Sequence, residues 1–206
     1  MVSKIDVAWD LFLEGKTSEA KKLVEQDFSI DTCTDFSLLN LMGYLLLAEK
    51  DYASCTHIFE KYILLAQQNE DKEHEHIGLH QLAMIYREQG DFHKALKLIE
   101  DEEKIVEEYF PNDNLKKAVN NYEQGYVRLK LNNLDEALTF MNLSLEQSLE
   151  TDDVISQACS YRGLGEIYLA LEDTELSNRH FKRAIELFES VGEFEGVKEI
   201  EELINE

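Results

Sequence analysis

What the chain lacks narrows its class before any motif is read. In 206 residues there is one proline, Pro111, and nine glycines, well under the roughly 5% and 7% of average chains. So few turn-forming residues predict an all-helical protein. Cys33, Cys55 and Cys159 are odd in number, far apart and without a CxxC pair. They indicate neither a disulfide framework nor a zinc site, and point to a reducing, cytoplasmic setting. Cations are scarce as well, with 20 Lys and Arg against 43 Asp and Glu and a formal charge of −23. Nucleic-acid affinity rests on cationic side chains that displace counterions, so the balance argues against that class. The most apolar window, Leu38 to Ala48, is interrupted by Asn40 and falls far short of the roughly 20 residues that span a bilayer. The first residues carry Asp6, Asp10 and Glu14 inside their apolar pattern, so they read as mature protein and not as a secretory signal.

What is present is a repeat. Five segments carry small residues twelve apart: Ala8 with Ala20, Gly43 with Cys55, Ala83 with Ala95, Gly125 with Ala137, and Gly165 with Ser177. Gly, Ala, Ser and Cys fill about one position in six, so ten matches by chance are on the order of 10⁻⁸ before any choice of phase. Two antiparallel helices approach most tightly where neither bears a bulky side chain, so the constant spacing predicts one helical hairpin per segment. Between the small residues lie turn signals: Glu14-Gly15-Lys16-Thr17, Lys50-Asp51-Tyr52, Gly90-Asp91-Phe92, Asn132-Asn133-Leu134 and Glu172-Asp173-Thr174. Gly or Asn can close the first helix in a left-handed conformation, and Asp, Asn or Thr can cap the second. Val24, Phe59, Ile99, Met141 and Phe181, each four residues beyond the second small residue, are the expected core rungs.

The pattern resembles the tetratricopeptide repeat, most clearly in LHQLAMIYREQGDFHKALKLIE (79–100) and YRGLGEIYLALEDTELSNRHFKRAIELF (161–188). The family's usual proline is missing, and the first small residues recur at intervals of 35 to 42. That long period is similar to the repeat arrays of bacterial peptide-pheromone sensors and kinesin light chains. The resemblance implies an all-α, right-handed α-α superhelix of five helical hairpins plus a C-terminal capping helix. The repeats would span about 4–31, 35–70, 72–110, 113–150 and 152–190, with the cap at 193–205, in a single solenoid domain. In the cap, Phe194, Val197, Ile200 and Leu203 would face the last repeat, with an acidic back turned to water.

No phosphate-binding glycine loop is present, and Gly163-Leu164-Gly165 sits inside a helical pattern. His74, His76 and His80 lack a specified third ligand partner and read as exposed or groove-lining residues, so no metal or other cofactor is expected. Carboxylate pairs carry no catalytic signal in so acidic a chain. The runs Glu100 to Glu103 and Glu199 to Glu202 read as solvated faces, with docking of a basic partner as the alternative.

In the resembling family the first helix of each hairpin lines a concave groove, with exposed positions three before, two before and one after the first small residue. Carried over, this gives Asn40, Leu41 and Tyr44; His80, Gln81 and Met84; Tyr122, Glu123 and Tyr126; and Arg162, Gly163 and Glu166. Arg87 and Lys130 lie one turn further along. The mixture of amides, rings and charges suits an extended peptide, while packing of Tyr44, Tyr122 and Tyr126 between hairpins is the alternative. The Lys/Asn/Arg set that clamps a C-terminal carboxylate in chaperone cofactors is not present. The resulting expectation is a cytoplasmic, non-enzymatic adaptor for a protein or peptide, a basic one among the candidates. The rivals are an intracellular signalling-peptide sensor, a helical phosphatase-like regulator and a self-associating scaffold such as a homodimer.

Overall fold

The turn chemistry fixes the local architecture. In the computed structural model, which describes residues 3–205, each expected turn ends its first helix with one residue at positive φ: Gly15, Lys50, Gly90, Asn132 and Glu172. At all five, the next residue's N–H returns to a carbonyl five positions back, on Leu11, Leu46, Tyr86, Arg128 and Tyr168. This closure satisfies carbonyls that a helix end leaves unpaired. Lys50 and Glu172 adopt it although they are neither Gly nor Asn, so the geometry is more regular than the turn residues suggest. Thr17 and Thr174 are the first helical residues, and the preceding Lys16 and Asp173 hold the cap positions. The Asp51 and Asp173 carboxylates accept the N–H of Ser54 and Leu176 there.

The helices run α1 (Lys4–Leu13), α2 (Thr17–Val24), α3 (Phe36–Ala48), α4 (Tyr52–Gln68), α5 (Lys72–Glu88), α6 (Phe92–Tyr109), α7 (Asn114–Lys130), α8 (Leu134–Leu149), α9 (Val154–Ala170), α10 (Thr174–Val191) and α11 (Phe194–Asn205). A 3-10 turn, Glu25–Asp27, follows α2, and the described residues contain no strand. From α4 to α10 every helix has 16 to 18 residues, so the long period comes from longer helices and not from longer loops. The chain divides into two compact units, Met1–Asp91 and Phe92–Glu206, with α5 in the first and α6 in the second.

In the first unit, Ala8, Ala20 and Cys55 are fully buried, and Cys55 Sγ reaches the Gly43 carbonyl at 3.3 Å. Burial pushes the Cys55 thiol up to about 12, so it stays neutral. A Cβ on Gly43 would collide with the Phe59 ring. The second unit repeats the device. Ser177 Oγ donates to the Gly165 carbonyl at 2.9 Å, and a Cβ on Gly165 would collide with Phe181. In these two hairpins the twelve-residue spacing marks a contact that is both steric and hydrogen-bonded. Val24, Phe59, Ile99, Met141 and Phe181 are all buried, as their spacing predicts.

The last helix packs on α10 through Ile200, with Val197 and Leu203 partly covered against Phe188. Phe194 departs from the expected cap face: it is 67% exposed, and Gly196 takes the contact with Phe188 instead. The expectation for Glu100 to Glu103 also needs correction. Glu102 is 2% exposed, because α6 turns it inward against α7, where its carboxylate accepts from Asn120 Nδ2 at 3.1 Å.

Candidate functional site

Among the predicted groove residues of the first unit, Tyr44 is the centre of a small aromatic group. Its ring stacks on Phe12 with centroids 5.9 Å apart and meets the Trp9 edge at 5.8 Å. Trp9 Nε1 donates to Ser37 Oγ at 2.9 Å, which ties α1 to α3. Burial raises the Tyr44 hydroxyl above its ordinary value, opposed by a hydrogen bond with Gln81, so two predicted residues meet. Asn40, His80, Met84 and Arg87 are half-buried; Asn40 Oδ1 is enclosed without a hydrogen-bond partner, and Arg87 pairs with Glu88 at 3.3 Å. Trp9 and Phe12 are absent from the predicted set, yet Trp9 follows Ala8 as Tyr44 follows Gly43. The signal was the same offset applied to the first, shortened repeat.

The second unit brings five of its seven predicted residues into one network on α7 and α9. Tyr122 and Tyr126 stack with ring centroids 6.2 Å apart. Arg162 Nη2 donates to the Tyr122 hydroxyl at 2.8 Å, and its Nε lies 3.5 Å from Glu166. Lys130 completes the group, 3.5 Å from Glu166 and 4.8 Å from the Tyr126 ring centroid. Burial works against the Arg162 charge, but Tyr122 and Glu166 outweigh it, so the guanidinium stays protonated. Burial likewise raises the Tyr122 hydroxyl, which remains neutral. The outer edge of Arg162 is met by Glu199 from α11. Glu199 was read as part of a solvated run, and it instead reaches over to the groove residues.

One inferred offset fails. Leu41, Glu123 and Gly163, all two before the small residue, are buried. In the second unit the reason is visible, since Gly163 lies against Met141 of the preceding hairpin and a Cβ there would overlap its thioether. This position faces the neighbouring α8 and not a groove. Gln81, at the same offset, is half-buried. His76 is also buried, with Nε2 3.6 Å from Glu73, while His74 stacks on Phe36 at 3.9 Å and bonds Asp71. These histidines pack and cap α5, and no three metal-ligating side chains converge among the described residues.

The tetratricopeptide-repeat profile matches residues 113–190 and, separately, 78–101. No curated protein matches the chain by sequence. Similar solved structures include the kinesin light chain nearly identical TPR-like repeats of Podosopora anserina, 16% identical, with 92% of this chain and 94% of that one aligned at a TM-score of 0.70. BtubC (BKLC) from P. vanneervenii is 18% identical over 98% of this chain and 91% of that one, at 0.66. MamA from Desulfovibrio magneticus RS-1 is 18% identical over 92% and 98%, at 0.61. At such identities the likeness is one of fold, and it agrees with the hairpin order and the turn geometry. The chain is a tetratricopeptide-repeat protein.

Proposed function

We propose that the protein is a non-enzymatic adaptor that holds a segment of a partner protein against α7 and α9, the first helices of its last two hairpins. The observation that carries this reading is the Tyr122, Tyr126, Lys130, Arg162 and Glu166 group. Two stacked rings and two cations are braced by internal bonds, so little side-chain freedom is lost when a partner docks. Tyr44 and Gln81 present a second pre-ordered pair in the first unit. The excess of carboxylates on the chain favours a partner with basic character.

The test uses Tyr126→Ala, with Tyr126→Phe as a packing control and Lys97→Ala on α6, outside the group, as an exposed charge control. Partner protein captured from source-cell lysate by the wild type is identified, purified and titrated against each variant. Loss of an aromatic anchor costs about 2 kcal/mol or more, roughly a 30-fold weakening, with helix content unchanged. Normal binding by a folded Tyr126→Ala protein moves the partner off this face.

A sensor reading draws on α11. A ligand carboxylate that displaced Glu199 from Arg162 would free the outer edge of that helix, coupling occupancy to the chain's C-terminal cap. It is separated from the adaptor reading by Glu199→Ala, which leaves a passive adaptor's affinity unchanged and raises a sensor's.

A further inference from the structure

Many cations of this chain are neutralised where they stand. Arg128 pairs with Glu100 and Glu136, Arg162 with Glu166 and Glu199, and Lys21 with Glu49. The run Arg179-His180-Phe181-Lys182-Arg183 on α10 is different. Three of the 20 Lys and Arg fall within five residues there, and no described carboxylate forms an ion pair with Arg179 or Lys182. Lys50 and Lys97 are likewise exposed without an ion pair among the described residues, but they stand alone; in a chain with more than two carboxylates for every cation, it is the clustering of three cations in five residues that sets this run apart.

The run borders a cleft of about 370 Å³, which is separate from the Tyr122 group. Arg179, Lys182 and Arg183 line it, and Glu186, 3.1 Å from Arg183, is its one carboxylate. Its wall is aromatic: His180 stacks on Tyr168 with rings 5.3 Å apart and 8° from parallel, and lies 5.9 Å from Tyr161. Phe181 points inward and is buried, while Arg179, Lys182 and Arg183 are exposed on the side facing water.

We infer that this cleft docks a carboxylate-rich segment of a partner protein. Arg179 and Arg183 are one helical turn apart, about 6 Å along the axis, with Lys182 between them. At i, i+3 and i+4 the three cations share one face of the helix, spread over a single turn. Carboxylates spaced along a peptide are each taken there by a separate guanidinium or ammonium group. The chain's own −23 repels an acidic peptide over most of its surface, which favours the place where cations cluster; at 0.1 M salt the Debye length of about 10 Å limits that repulsion to nearby groups.

The experiment titrates the intact protein into a fluorescein-labelled hexaglutamate peptide at low and moderate salt, read by fluorescence anisotropy. The comparisons are Arg179→Glu, Lys182→Glu and Lys130→Ala, with inorganic phosphate as competitor and a hexaglutamine peptide as control. Each affected side chain is exposed, and circular dichroism checks that each variant folds. The expected result is hexaglutamate binding that weakens with salt, falls at least tenfold in both α10 variants, is unchanged in Lys130→Ala, and is absent for hexaglutamine. Three results overturn the inference: no hexaglutamate binding by the wild type, binding indifferent to the α10 charges, or displacement by inorganic phosphate at concentrations equal to the peptide's. Since Lys130→Ala reports on the α7 and α9 face, failure here leaves the adaptor reading standing, and failure of that reading leaves this cleft intact.

Discussion

The first unit and the start of the second solve one packing problem with different chemistry. On α3 and α4 the buried side chains are apolar, among them Leu39, Leu41 and Leu45 on the first helix and Ile58, Phe59 and Tyr62 on the second. Between α6 and α7 the interior is polar. Asn120 Nδ2 donates to the Ile99 carbonyl at 3.0 Å and to Glu102, Gln124 Nε2 donates to Asn120 Oδ1, and Arg128 Nη1 donates to Gln124 Oε1 at 2.8 Å. The chain ends at the surface, where Arg128 pairs with Glu100 and Glu136 and lies 4.1 Å from the Phe140 ring centroid. Yet Gly43 and Gly125 stand at the same repeat position, both buried and both against the second helix of their hairpin. The small-residue contact sets how closely the two helices of a hairpin approach, while the seam between one hairpin and the next, here α6 with α7, is free to vary in its chemistry. A hydrogen-bonded seam is less stabilising than an apolar one, but its directed bonds admit a single register.

The largest effect should come from breaking the polar seam at its middle. Asn120→Leu, with the same side-chain branching but a larger volume, takes one hydrogen bond each from the Ile99 carbonyl, the buried Glu102 carboxylate and the Gln124 amide, and should cost about 3 kcal/mol or more in urea unfolding, at about 1–3 for each buried group left short of a partner. Joint replacement of Glu102, Asn120 and Gln124 by Leu converts the seam to the first unit's chemistry and should restore stability to the wild-type level or above. If the triple variant stays as weak as the single one, the polar chain supplies more than its partners' mutual satisfaction.

A smaller effect tests what the two regions share. Gly43→Ala and Gly165→Ala each push a methyl group into a buried phenylalanine, and each should cost about 1–3 kcal/mol by thermal unfolding. Similar losses support one contact used twice. A silent substitution at either position would mean that its helices are not held at closest approach.

The smallest effect belongs to helix capping. Asp71 accepts the His74 N–H at 3.0 Å and Asp113 accepts the Lys116 N–H at 3.0 Å, opening α5 and α7. Asp71→Ala and Asp113→Ala should each cost about 1 kcal/mol at neutral pH. The His74 N–H bond holds the Asp71 carboxyl below its ordinary 3.8. Its contribution is therefore complete above pH 3.8 and is lost as pH falls through the lower folded value. The stability gap between wild type and Asp71→Ala should close in that acid window. A gap that persists below it would make the cap's charge irrelevant.

Most of the fold was legible because it rests on local rules. Small residues twelve apart, a closing turn and apolar rungs are each readable from neighbours in sequence, and the buried state of Phe59 and Phe181 followed from spacing alone. Lys50 and Glu172 were not readable as left-handed residues, since nothing in their side chains favours that conformation and the flanking helices impose it. The site was less legible. Arg128 could be seen as an oddity among Leu11, Leu46, Tyr86 and Tyr168, but its partners lie on α6 and α8 and only folding brings them together. Glu199 was hidden for the same reason, as one glutamate in an acidic run that meets Arg162 across 37 residues.

Oxidative footprinting of the protein with and without its captured partner tests the central claim most directly. The account predicts that partner binding protects Tyr122 and Tyr126, while Tyr109 and Phe194, exposed outside the proposed site, keep their reactivity. Unchanged oxidation of Tyr122 and Tyr126, together with protection of Tyr109 or Phe194, would contradict it.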